Sequence, residues 1–243
     1  MTALSLHDIT MTFPDGTRAI DGVDLSIERG EFVTIVGPSG CGKSTLLRII
    51  SGLQQPTSGS CELDSKSLGY VFQDSVLLPW RNVRKNVELN AELQGVPKER
   101  RQESAQKAIN LVKLNDHATK FPHQLSGGMK MRCSLARSLV SQPQVFLFDE
   151  PFGALDEMTR EHLNDELLNI FLQEKFSGLF ITHSIQEAVF LSTRVIVMSS
   201  QPGRFIAEHK IDFAFPRVPD IRYSAEFAEL CGRISHDLKL AHA

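Results

Sequence analysis

The chain has 243 residues, 42% hydrophobic and 23% charged, enough for one domain with a sizeable core. Its net charge of −3 gives no electrostatic case for binding nucleic acid. No apolar run approaches the ~18 residues of a spanning helix, and the first residues lack a basic-then-apolar signal pattern, so any role at a membrane needs another chain to supply the span.

Residues 4–13 alternate apolar and polar like a strand, Pro14-Asp15-Gly16-Thr17 reads as a turn, and residues 23–27 alternate again. Two antiparallel strands therefore lead into the chain. Phe13, at the end of the first, reads two ways: a ring on which a base stacks, or a plain core phenylalanine.

Residues 31–36 form an apolar run expected to be a buried strand. Gly37-Pro38-Ser39-Gly40-Cys41-Gly42-Lys43-Ser44-Thr45 follows it, and residues 44–50 read as a helix. Glycine, four residues, then Gly-Lys-Ser/Thr is the phosphate-loop pattern. Glycines let the backbone turn tightly and bring N–H groups against phosphate oxygens. Lys43 adds a cation for the β- and γ-phosphates, the Ser44 hydroxyl suits Mg²⁺, and the helix start favours an anion. Cys41, Cys61, Cys133 and Cys231 lie far apart without metal-ligand spacing and read as reduced thiols. Within the loop, Cys41 is either a small filler or a point of oxidation sensitivity.

After a loop at 54–59, residues 60–63 and 68–72 are short strand candidates, and Gln73 stands where the second ends. In open α/β sheets that edge holds the ligand, so Gln73 is placed to touch Mg²⁺ or orient water. Residues from about 77 to 124 change character, and the only tryptophan, Trp80, lies there. Pro97 opens a helix with Ala105, Ala108, Ile109 and Val112 at helical spacing, so the stretch reads as a helical insertion in an α/β core.

Leu125-Ser126-Gly127-Gly128-Met129 precedes a helix expected over 131–140; Ser126, Gly127 and Gly128 form a second candidate anion seat. Residues 145–150 are an apolar strand ending in Asp149 and Glu150. In phosphoryl transfer Asp149 suits Mg²⁺ and Glu150 suits the attacking water. Gly153-Ala154-Leu155-Asp156 turns into a helix with Leu163, Leu167, Ile170 and Phe171 on one face. Residues 178–182 are a further core strand ending at His183, placed to meet a γ-phosphate or to hold Glu150 and water. Residues 194–198 are the last buried strand, and 201–204 a turn. In the tail, Ser224 caps a closing helix whose stripe of Phe227, Leu230, Ile234 and Leu238 is expected to pack on the parent domain.

The order of phosphate loop, Gln73, Leu125-Ser126-Gly127-Gly128-Met129, Asp149-Glu150, Ala154-Leu155-Asp156 and His183 resembles the ATP-binding subunit of an ABC transporter, over roughly residues 4–206. The resemblance implies an α/β fold: a P-loop NTPase core with a mostly parallel sheet, an N-terminal antiparallel β sub-domain and an α-helical insertion. It implies an ATP-binding domain over 1–210, with its helical sub-domain at about 77–140, and a C-terminal extension over 211–243. It implies ATP and Mg²⁺ as ligands, with Phe13 where the family places an adenine-stacking aromatic. A head-to-tail dimer is implied too, read here as a homodimer, in which Ser126, Gly127 and Gly128 serve the partner's nucleotide. Transmembrane permease subunits, and indirectly a periplasmic or lipid-anchored solute-binding protein, are the other implied partners, with no nucleic acid. The implied location is peripheral, on the cytoplasmic face of the inner membrane.

Leu77-Leu78-Pro79-Trp80, Phe72-Gln73-Asp74 and Pro151-Phe152-Gly153 look more narrowly like the nitrate/sulfonate/taurine group of importers. Lys130-Met131-Arg132 departs from the family at Met131, usually Gln, and Ser184 stands where Asp is common. The alternative is a soluble ABC-type ATPase acting on nucleic acid, a ribosome or a protein cluster. Such chains often carry two cassettes or basic arms, which this one lacks.

Overall fold

The computed structural model describes residues 1–64 and 67–241; the last two residues of the expected C-terminal extension lie outside them. In chain order, the elements are β1 (Thr2–Thr12), β2 (Arg18–Glu28), β3 (Phe32–Val36), α1 (Lys43–Ile50), β4 (Ser58–Leu63) and β5 (Leu68–Val71). Then come α2 (Val83–Val87), α3 (Leu89–Leu93), α4 (Lys98–Leu111), α5 (Gly127–Leu139), β6 (Val145–Asp149), α6 (Glu157–Glu174) and β7 (Ser177–Thr182). The chain closes with α7 (Ile185–Leu191), β8 (Arg194–Met198), β9 (Phe205–Lys210) and α8 (Ala225–Leu240).

Two sheets form. β2-β1-β4 is antiparallel, and β5-β6-β7-β3-β8-β9 is parallel except for β9, which runs antiparallel to β8. Successive side chains of a strand face opposite ways, so each central strand feeds two cores. Val33 and Ile35, Val145 and Leu147, Leu179 and Ile181 pack with β1, β2 and α1. Phe32, Phe146, Phe148 and Phe180 point the other way, into a core shared with the helices. There Phe32 meets Phe171 edge-on at 5.1 Å. The α/β reading with an antiparallel sub-domain and a helical insertion is therefore the observed architecture.

The structure adds what the sequence did not suggest. β9 closes one edge of the large sheet, and α7 follows directly on β7. The helix expected from Met131 begins earlier, at Gly127. Ser126 caps it, its Oγ accepting from the Met129 N–H at 3.3 Å, so Gly127 and Gly128 form the first turn.

The tail packs as its stripe predicts: Phe227, Leu230 and Ile234 are buried in the helix-side core. Arg217 fastens it. Its guanidinium is buried, donating to the carbonyls of Val189 and Phe190 at 2.9 and 2.8 Å and to Phe213, and it lies over the Phe215 ring. Burial lowers its pKa to about 10, still charged at neutral pH. Arg217→Ala leaves those carbonyls without a donor and is expected to cost ~1–3 kcal/mol, read as a lower thermal midpoint.

Candidate functional site

Because β5, β6, β7 and β3 run parallel, their carboxyl ends share one rim of the sheet. Gln73 lies just past β5, the phosphate loop follows β3, Asp149 ends β6 with Glu150 next, and His183 follows β7. That rim is where open α/β sheets place ligands.

The loop has the shape its glycines allow. Gly40 and Gly42 have φ of 77° and 104°, in the left-handed range. A Cβ on Gly42 would sit 2.8 Å from the Ala19 carbonyl oxygen, and one on Gly37 2.8 Å from that of Met198. The loop ends at the start of α1, whose first turn holds no acidic residue to occupy its positive end. Lys43 is buried, and its Nζ donates to the carbonyls of Gly37 at 2.9 Å and Pro38 at 2.7 Å. Cys41 is 1% exposed and burial pushes its thiol pKa up, so it is packing rather than a reactive thiol.

A cleft of about 330 Å³ opens over the loop. Ser39, Gly40, Gly42, Lys43, Ser44 and Thr45 form its floor; Phe13, Gln73 and Glu150 stand in its walls. Phe13 also packs on the core beneath the antiparallel sheet, which fixes its ring at the wall. Two further wall residues, Ala19 and Gln201, were not singled out in the sequence; no local motif marks them, and both arrive through long-range pairing, since the Gly203 N–H donates to the Ala19 carbonyl at 2.9 Å.

The two carboxylates have different partners. Ser44 Oγ donates to Asp149 Oδ1 at 2.8 Å, and Tyr70 donates to Oδ2 at 3.4 Å. Burial raises the Asp149 pKa; the Ser44 hydrogen bond opposes that shift. Tyr70 is held well above its ordinary value by burial and then by the Asp149 charge, so it stays a donor. Glu150 points apart from this pair. Its φ is 44°, its N–H donates to the Ile181 carbonyl at 3.0 Å, and its Oε2 lies 3.1 Å from His183 Nδ1. Tyr70 was read only as a strand residue, and its alternation with Val71 gives no sign of the Asp149 contact.

Ser126, Gly127 and Gly128 do not line this cleft. They sit at the amino end of α5, with Ser126 and Gly127 exposed, beside Leu155 and Thr159.

A phosphate loop over a parallel sheet, with paired carboxylates at the rim, defines a nucleoside-triphosphatase core. Residues 20–153 match the ABC transporter family. The chain is 46% identical over 246 residues to an uncharacterized ABC transporter ATP-binding protein of Methanocaldococcus jannaschii, covering 97% of this chain and 91% of that one. It is 43% identical over 225 residues to a taurine import ATP-binding protein of Rhizobium johnstonii, covering 88% and 86%. Its fold matches a dimeric ATP-binding cassette in a post-hydrolysis state with ADP and Pi, with a TM-score of 0.75, at 31% identity over 87% of this chain and all of that one. The chain belongs to the ABC transporter family, as an ATP-binding and ATP-hydrolysing subunit.

Proposed function

We propose that this subunit drives uptake of a small sulfonate-type anion through a membrane permease, and that it works as a head-to-tail dimer of identical chains. The observation carrying the dimer is the position of Ser126, Gly127 and Gly128: at a helix start, with Ser126 and Gly127 exposed, yet outside the chain's own cleft. Such a seat suits a nucleotide held by a second copy. The solute class rests on the taurine-import relative, taurine being a sulfonate, and on Leu77-Leu78-Pro79-Trp80.

Within one cleft, residues 37–45 cradle the phosphates by backbone N–H groups, Lys43 turning from the Gly37 and Pro38 carbonyls to phosphate oxygens. Phe13 stacks on the adenine. Ser44 and Asp149, with Gln73 across the cleft, supply the hard oxygen donors that fit Mg²⁺. When bound there, Mg²⁺ would supply neutralisation of the phosphate charge. Glu150 accepts the proton of the attacking water, while His183 holds Glu150 and meets the γ-phosphate.

Residues 1–210 form the ATP-binding unit in this reading, with a helical sub-domain at about 77–140 that meets the permease, and 211–243 an extension. No helix among the described residues is long and apolar enough to cross a membrane, so the permease supplies the span. The subunit then lies on the cytoplasmic face, and a solute-binding protein delivers cargo without touching it. The test is co-purification from gently solubilised membranes of the native host. A polytopic membrane protein in near one-to-one ratio, with a sulfonate-binding companion, is expected. Recovery only with ribosomal, nucleic-acid or cluster-assembly partners overturns the importer reading.

A further inference from the structure

Glu187 is a buried carboxylate that the chemistry above does not use. It sits on α7, 5% exposed, four residues past His183. Its Oε2 accepts from Thr182 Oγ1 in a short hydrogen bond. Thr182 Oγ1 in turn accepts from the Ser184 N–H at 3.0 Å. Glu187 thus anchors the residues on both sides of His183. Its other oxygen, Oε1, faces Arg160 Nε at 3.7 Å, too far for the two to hydrogen-bond each other, and the Asn164 side chain also lies beside the carboxylate. The far end of Arg160 donates from Nη2 to the Leu155 carbonyl at 3.0 Å. Leu155 packs against Gly127, where an added Cβ would meet its side chain at 3.0 Å.

One unbroken series of contacts therefore joins Glu150 and His183, at the chain's own cleft, to Gly127, outside it. The loose 3.7 Å step is where it has room to tighten. The Glu187 carboxylate is buried while the Arg160 guanidinium is partly exposed, so a closer approach that made a hydrogen bond would offset the desolvation of the carboxylate.

We propose that Glu187 and Arg160 are positioning residues: their ion pair ties the His183 end of β7 to the Leu155 turn, so that engagement of the Gly127 face by a second copy of this chain sets the Glu150–His183 geometry. This rests on the dimer reading above. A displacement of about an ångström at a catalytic group costs up to ~10²-fold in rate, so the link acts on turnover rather than on nucleotide affinity.

Glu187→Gln keeps the shape and an acceptor for Thr182 while removing the charge that faces Arg160. Glu187→Gln and Arg160→Ala are each expected to lower kcat roughly 10- to 100-fold while the Kd for ATP stays within about twofold. Arg160→Lys is expected to recover part of the loss. In the double variant the losses should not multiply, since both changes cut one link. Wild-type kcat per folded molecule in either single variant, or losses that multiply in the double, overturns the proposal. If Glu187→Gln does not fold, the partly exposed Arg160 carries the same comparison through Arg160→Ala and Arg160→Lys. ATP-driven dimerisation of the slow Glu150→Gln chain, followed by size exclusion, checks the dimer reading separately. A monomer there removes the second copy from the proposal, and the non-multiplying kcat losses still decide the Glu187–Arg160 link.

Discussion

Glu150→Gln is expected to bind ATP as the parent chain does and to lose turnover by ~10²–10⁴-fold, the usual contribution of a general base. The substitution preserves volume and leaves a group able to face His183 Nδ1, so the 3.1 Å contact has a substitute. What it removes is basicity. Glu150 is also held in an uncommon backbone conformation, φ 44°, by the hydrogen bond of its N–H to the Ile181 carbonyl. Side-chain replacement with the backbone left in place thus tests chemistry alone. Phosphate release under saturating ATP, read beside equilibrium ATP binding, separates the two effects. Turnover near that of the parent removes Glu150 from the base role. A rise in Kd alongside lost turnover would instead assign it to nucleotide binding.

The parts of this site that were legible in the sequence are those where chemistry demands fixed types at short spacing. Residues 37–45 had to be glycine-rich around Lys43 and Ser44, because a Cβ at Gly37 or Gly42 meets a backbone carbonyl at 2.8 Å. Asp149 and Glu150 ended an apolar run, and a strand buried on both faces can end in charge only at its rim. Elements stabilised mainly by their surroundings were harder to see. α7 is short and buried from Glu187 to Leu191, so it carries no amphipathic stripe to betray it. β9 alternates only between half-buried and exposed, a weak signal for an edge strand. The early start of α5 was hidden by two glycines with poor helix propensity, although a serine directly before them was an available capping signal. Ala19, Gln201 and the Tyr70–Asp149 contact belong to the cleft only through pairing across the fold, which no local pattern encodes.

That same pairing makes Gly203 the position where one methyl group should do most harm to nucleotide binding from outside the loop. Gly203 lies in the turn after β8, donates to the Ala19 carbonyl at 2.9 Å and accepts from the Asp21 N–H at 3.1 Å. A Cβ there would fall well inside van der Waals contact of the Cys41 carbonyl oxygen and of Met198 Cε, and 3.2 Å from the Ala19 carbonyl. The Met198 methyl can swing aside; the Cys41 carbonyl belongs to the phosphate loop and moves only if the loop moves. Overpacking of this kind costs ~1–3 kcal/mol and here is concentrated on the loop that cradles phosphate. Gly203→Ala is therefore expected to weaken ATP binding about tenfold or more, equivalent to at least ~1.4 kcal/mol at the site, and to lower the thermal midpoint by several degrees. Gly232→Ala supplies the contrast. Gly232 lies within α8 with open space where its Cβ would go, so the same added methyl relieves a helix-interior glycine and should stabilise by ~0.5–1 kcal/mol without touching ATP affinity. Opposite signs in the thermal midpoint, with loss of affinity confined to Gly203→Ala, are the expected pair. Unchanged ATP affinity in Gly203→Ala would mean that the loop tolerates displacement of the Cys41 carbonyl, and that the turn after β8 supports the fold rather than the nucleotide.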